Sequence, residues 1–257
     1  MKKNLFFCCY FFFSFLFVSS QTYHSILLDH PEWHLTSCNN GCVTDIYSLS
    51  GDTVYNNQSY KVLDGFHYIS KTFWLREEET EKKVYMSYEM NFERKEVLLY
   101  DFSMLEGDTI NISNPIAPFT SNPGPFIVDS IEYIILDNGS SRKVMFLSSI
   151  ATVNENPVWI EGIGSLSLIN APGGTPNING AGKLSCFFKN GSLIYSQLDS
   201  IVSCSSILGD INENKKTDKK RLIKKIDLLG RQSTKSNQLN FYIYDNGRVE
   251  KRISIKN

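Results

Sequence analysis

The sequence predicts an all-β protein: an antiparallel β-meander forming a sandwich or barrel-like body, followed by a small C-terminal β unit. Three observations lead there. Short runs of aromatic and β-branched residues show partial period-two alternation, and few windows show the 3.6-residue period of an amphipathic helix. Turn signals recur roughly every ten residues, the rhythm of all-β sandwiches and barrels. The chain closes on NQLNFYIYDNGRVEKRISIKN, residues 237–257, in which Phe241–Tyr244 and the alternating Val249, Ile253 and Ile255 flank Asp245-Asn246-Gly247, a hairpin signal.

The elements follow in order. Gln21 to His34 is a short lead-in that holds three of the four histidines. Residues 42–65 read as two strands around a Ser50-Gly51-Asp52 turn, and residues 67–90 as two strands around the charged turn Glu77 to Lys83. Residues 96–113 read as another pair around Glu106-Gly107-Asp108, and residues 126–149 as a long pair around Asp137-Asn138-Gly139. A further hairpin turns at Lys189-Asn190-Gly191. Gly51-Asp52-Thr53 and Gly107-Asp108-Thr109 echo one another, a match too short to establish a repeat over two independent turns. The Pro-rich stretch 115–126 and the Gly/Pro/Asn-rich stretch 170–182 are expected to be surface loops. The implied organisation is a body at 21–208, a polar linker at 209–220 and a terminal β unit at 221–257 that is too short for a stable core of its own.

The first twenty residues read as a secretory signal peptide. Lys2 and Lys3 form a positive start, Leu5 to Val18 is almost unbroken apolar sequence, and the small Val18 and Ser20 suit cleavage after Ser20. The run falls short of the roughly 20 apolar residues of a membrane span. Export changes the meaning of the cysteines. Cys8 and Cys9 leave with the leader, and Cys38, Cys42, Cys186 and Cys204 remain. Four cysteines allow three pairings in an oxidising compartment, and the local Cys38–Cys42 and Cys186–Cys204 pairs are expected because each spans a turn. The spacing lacks a Cys-x-x-Cys pair, so structural zinc is not expected.

Residues 21–214 carry 11 Lys+Arg against 23 Asp+Glu, and residues 215–257 carry 13 against 4. A basic tail can bind nucleic acid, but on an exported protein an acidic body or a polyanionic cell surface is the better partner, and no nucleic-acid role is expected.

No catalytic residue, cofactor or metal site is assigned. His30-Pro-Glu-Trp-His34 spaces two histidines four apart, but Pro31 interrupts them and no His-Glu-x-x-His motif exists, so surface histidines are expected. Gly162-Ile163-Gly164-Ser165 has the look of a phosphate-binding loop without a following helix or Walker lysine. Glu77, Glu78 and Glu79 read as solvated acids of a charged turn. Asp210, Asn212, Asn214 and Asp218 alternate like a calcium loop, yet Lys215 stands where its glycine belongs and Arg221 where its last acid belongs; a polar linker is expected. Asn-x-Ser sequons begin at Asn57, Asn111, Asn138 and Asn190. Trp74 and Trp159 mark the places to look for a binding surface, with Trp159 the better candidate for a buried anchor.

Lys224 to Lys256 resembles the C-terminal sorting domain of proteins exported by the bacterial type IX secretion system, in a short variant without the usual Tyr-Pro-Asn-Pro opening. The matching residues are Ile226, Asp227, Leu229, Gly230 and Arg231, then Phe241, Tyr242, Ile243 and Tyr244, then Gly247 and Lys251 in the basic last strand. The body is similar to uncharacterised exported proteins carrying such a tail, through Leu98–Ser103 with the following Glu-Gly-Asp-Thr, Trp159–Ser165, and Leu184–Gly191. The resemblance implies a bacterial source, where the sequons go unused. It implies a route through the general secretion machinery and signal peptidase, then the type IX outer-membrane translocon, to the medium or the outer cell surface. It leaves open whether the tail is cleaved or anchored. It implies no activity for the body. The expected function is therefore a secreted or surface binding or scaffolding module with an extracellular or surface-glycan ligand, the alternative being an exported hydrolase of polysaccharide or peptide.

Overall fold

The structure, a computed structural model, describes residues 22–65, 71–113, 124–151, 155–199, 201–207, 222–233, 239–244 and 249–253. The leader 1–20, most of the Pro-rich stretch 115–126, the linker 209–220 with its calcium-like series, and the last hairpin's turn with Gly247 lie outside them. The chain divides into two compact units, Met1–Ser206 and Ile207–Asn257.

The first unit contains thirteen of the named strands: β1 (Pro31–Cys38), β2 (Cys42–Tyr55), β3 (Gln58–Asp64), β4 (Trp74–Glu78), β5 (Lys83–Met90), β6 (Glu93–Asp101), β7 (Thr109–Ile112), β8 (Gly124–Ile135), β9 (Ser141–Ser149), β10 (Val158–Ile160), β11 (Gly164–Ser165), β12 (Lys183–Lys189) and β13 (Ser192–Ser196). An eight-stranded sheet runs β13-β12-β1-β2-β3-β4-β5-β6, and a five-stranded sheet runs β11-β10-β9-β8-β7. Every pairing is antiparallel, and the larger sheet curls into a half-barrel. One contiguous core joins the sheets. Trp33, Leu63, Leu75, Met86 and Tyr100 come from the larger sheet, and Phe126, Met145 and Trp159 from the smaller. Three large core rings have their polar tips satisfied: Trp33 Nε1 donates to Ile163 O at 2.8 Å, Trp159 Nε1 to Pro172 O at 2.7 Å, and Tyr100 Oη to Ile169 O at 2.6 Å. Each ring therefore buries its area without leaving a donor unpaired.

Several expectations are corrected. The Ser50-Gly51-Asp52 turn is a bulge inside β2, where the register with β3 shifts between Leu49 and Asp52. Gly51 adopts φ 137°, and the reversal comes later at Asn56-Asn57, both at positive φ. The strands around Glu106-Gly107-Asp108 do not pair. β6 ends the larger sheet and β7 ends the smaller, so this turn carries the chain from one sheet to the other. The two Gly-Asp-Thr stretches thus do different work. The lead-in is core: Ile26 is fully buried and Leu27 nearly so. The stretch 170–182 is half interior, because Asn170–Gly174 is buried beneath Trp159.

The second unit contains β14 (Leu222–Ile226), β15 (Leu239–Tyr244) and β16 (Val249–Ile253), an antiparallel sheet in that order. Between β14 and β15 lies a turn built by Asp227. Its Oδ1 accepts the Leu229 and Arg231 amides at 2.9 and 3.0 Å, and its Oδ2 accepts Arg231 Nε at 2.9 Å. Gly230 supplies the positive φ the turn needs.

Candidate functional site

Both predicted disulfides are present. Cys38–Cys42 closes the β1–β2 turn, and Cys186–Cys204 ties residues 201–206 across β12. The second has a consequence for the histidines. The tied segment helps cover the outer side of β1, where His34 Nε2 and Glu32 Oε1 lie 2.5 Å apart and Ser206 Oγ donates to Glu32 Oε2 at 3.1 Å. His34 is buried against the Phe188 ring and is not a surface histidine; His30 is exposed. Among the described residues no cluster of three or more His, Cys, Asp or Glu side chains is placed to hold a metal ion.

Gly162-Ile163-Gly164-Ser165 spans the end of the reversal that follows β10 and the two residues of β11. Both glycines adopt positive φ, and a Cβ on Gly164 would stand 2.5 Å from Ile169 Cδ1. Close packing, not phosphate, accounts for the glycines.

The acids of the charged turn are not all solvated. Glu77 receives four hydrogen bonds from the lead-in: Tyr23 Oη at 2.7 Å, Ile26 N at 2.8 Å, Leu27 N at 3.1 Å, and the Ser25 hydroxyl. Glu161 accepts the His24 amide at 3.1 Å. Two carboxylates, one on β4 and one in the turn after β10, thus hold Tyr23–Leu27 in place. No local pattern in the sequence signals this, because the partners are 50 or more residues apart.

Two surfaces of this unit could engage a ligand. One is the outer face of the larger sheet around half-buried Trp74. Its ring lies 6.1 Å from Tyr60 and 6.3 Å from Tyr55, and the Arg94 guanidinium sits 3.3 Å above its centroid. Arg76 lies 4.3 Å over Tyr85 and pairs with Glu96 at 2.7 Å and with Glu78. Glu96 also accepts Tyr60 Oη at 2.6 Å. Burial would raise the Glu96 carboxyl, but the Arg76 and Tyr60 hydrogen bonds overcome it and hold Glu96 below the usual carboxylate range. These contacts lock the rings into a rigid aromatic and guanidinium surface.

The other is a cavity of about 360 Å³ where the lead-in meets the turns of four hairpins. His24 and Asp29 line it from the lead-in, Asn138 and Arg142 from the β8–β9 hairpin, and Lys189 and Asn190 from the β12–β13 turn. Sequence reading noted Asn138 and Asn190 only as turn residues and sequons. Lys189 stood out only as a turn residue and Arg142 not at all, because their convergence depends on the two sheets closing together. Trp159, by contrast, is fully buried and faces neither surface.

In the second unit Leu228 and Leu229 are exposed at 67% and 74% on the Asp227–Arg231 turn. Tyr244 is buried, Phe241, Tyr242 and Ile243 are half-buried, and Lys251 is exposed opposite Phe241. Lys225 Nζ stands 5.4 Å from the Tyr242 ring.

The class these features define is an all-β, disulfide-stapled protein with a small β unit after its body. Comparison of the chain with protein-family models, with curated proteins and with solved structures finds no match.

Proposed function

We propose that the protein is a secreted or surface-displayed binding module, exported by a type IX route, whose body engages an extracellular or surface glycan. The observation that carries the binding reading is how the body uses its interior. The space between the sheets is filled by Trp33, Tyr100, Phe102, Phe126 and Trp159, and the acids Glu32, Glu77 and Glu96 are committed to structural hydrogen bonds. What is left for ligands is outer surface and turn-lined hollow, the usual provision of a β-sandwich binder. The rings and guanidinium groups around Trp74 suit the apolar faces and hydroxyls of sugars.

The export reading is supported by the signal-peptide sequence, by the oxidising environment that two disulfides imply, and by the Asp227–Arg231 turn. That turn presents two exposed leucines beside a short three-stranded sheet, the kind of β unit that another protein can grip. Deletion of residues 221–257 tests it: the truncated chain is expected to remain in the periplasm, and its normal appearance outside the cell would overturn the route. Binding is tested by a glycan panel with the purified protein and Trp74→Ala. A ligand whose affinity falls at least tenfold in the variant supports the Trp74 face.

One observation favours the hydrolase alternative. Burial pushes the Glu161 carboxyl up, as a general acid requires, against partial opposition from the His24 amide and from Lys82, Lys143 and Arg142. Turnover of a polysaccharide or peptide that disappears in Glu161→Gln would establish that reading in place of binding.

A further inference from the structure

Two cations that line the cavity at the turn-lined end of the body have no ion-pair partner among the described residues. Arg142 is half-buried, yet its guanidinium forms no ion pair among the described residues; its Nη1 donates to the Ser141 carbonyl at 3.0 Å. Lys189 Nζ donates to the Ser25 carbonyl at 2.5 Å and likewise forms no ion pair there. His24 lines the same space. The three groups lie within electrostatic reach of one another. Burial and then the neighbouring Arg142 and Lys189 hold the His24 imidazole below its ordinary range, and burial lowers Lys189, with Arg142 lowering it further and Asp29 and Glu77 opposing. Arg142 and Lys189, cations from separate elements, are partly dehydrated and repel one another, while Glu161, Asp29 and Glu77 offset this without forming an ion pair to either. An anion entering between the two cations relieves the remaining cost.

The rest of the lining restricts which anion. Asp29 and Glu79 also face the cavity, so a dianion would meet repulsion that a single negative charge can avoid by sitting at the Arg142 end. A planar carboxylate matches the guanidinium fork. Asn138, Asn190 and Asp29 add donors and acceptors suited to hydroxyl groups. A volume of about 360 Å³ lies at the small end of ligand cavities, roughly 300–1,000 Å³, and admits a monosaccharide unit.

We infer that this cavity binds a sugar acid, a uronic acid residue, with its carboxylate on Arg142 and Lys189 and its hydroxyls on Asn138, Asn190 and Asp29. The inference deepens the reading of the body as a glycan-binding module and rests on it, but it uses a different surface from the Trp74 face.

The test is calorimetric titration of the purified protein with glucuronic and galacturonic acids, beside glucose, glucose 6-sulfate and inorganic phosphate. A uronic acid is expected to bind at least tenfold more tightly than glucose. Arg142→Ala is expected to cost at least tenfold and Arg142→Lys less. Melting curves of the Arg142 variants verify that they fold, and Lys189→Gln serves as a second reporter should Arg142→Ala unfold. No uronic acid binding, equal binding of glucose, preference for the sulfate or phosphate, or indifference to both Arg142→Ala and Lys189→Gln would each overturn the site. Neutral glycan binding that depends only on Trp74 would overturn the site while leaving the binding-module reading intact.

Discussion

Tyr23 and Glu77 are 54 residues apart in the chain and joined by a 2.7 Å hydrogen bond from the tyrosine hydroxyl to the carboxylate. The bond belongs to a set of four by which one side chain of the larger sheet holds the stretch that precedes its first strand. The lead-in then places Ile26 and Leu27 in the core and His24 and Asp29 at the cavity.

Glu77→Ala is therefore expected to destabilise the body by about 2–4 kcal/mol, since two backbone amides and two hydroxyls lose a charged acceptor. Urea unfolding measures the loss. Hydrogen exchange of the Ile26 and Leu27 amides should accelerate well before that of Leu75 or Met86, and Glu77→Gln should recover part of the protection. Unchanged exchange at residues 26 and 27 would contradict the anchoring role.

Gly164→Ala places a methyl group 2.5 Å from Ile169 Cδ1 on a backbone at φ 101°. Overpacking and an unfavourable φ act together, so a loss of at least about 2 kcal/mol is expected. Gly51→Ala is the comparison: it also sits at positive φ, but nothing lies within 4 Å of its added Cβ. Denaturation midpoints should rank Gly164→Ala well below Gly51→Ala.

Replacing both Cys186 and Cys204 by serine opens a crosslink with a sequence separation of 18, and replacing Cys38 and Cys42 opens one of 4. Loop-closure entropy predicts losses of about 3 and about 2 kcal/mol. The longer loop also ties down the segment covering Glu32 and His34, so its removal alone should speed exchange of the β1 amides. Non-reducing peptide mapping checks the pairing, and a Cys38–Cys186 crosslink would contradict it.

Glu161 sets a pH dependence whose sign follows from its burial. Its folded-state pKa is raised above the ordinary value of 4.5. The protonated form is thus the one folding favours; its contribution is complete below about 4.5 and is lost as pH rises through the elevated folded value. Glu161→Gln keeps an acceptor for the His24 amide without the charge. The variant should lose less stability than the parent between pH 4.5 and 7, read as melting temperature against pH. Parallel curves would refute the assignment.

Much of the fold was legible in the residue pattern. The strands around Asp137-Asn138-Gly139 and Lys189-Asn190-Gly191 form the predicted hairpins, and both disulfides join the predicted cysteines. These features depend on neighbours in the chain. Where reading failed, a local signal had two structural answers. Gly51 marks either a turn or a bulge, and Asn56-Asn57 settled it by supplying the reversal five residues later. Glu106-Gly107-Asp108 marks a turn but does not say whether the flanking strands pair or part between sheets.

Alternation, turn chemistry and cysteine spacing are short-range properties, and they alone determine that this chain is an antiparallel β protein with two local crosslinks. Tertiary structure decided which carboxylates are structural and which cations converge. The anchoring of the lead-in by Glu77 and the meeting of His24, Arg142 and Lys189 join elements 50 to 165 residues apart only when two sheets close on one core. No periodicity within a strand records a neighbour on the opposite sheet, so both had to be read from the folded chain.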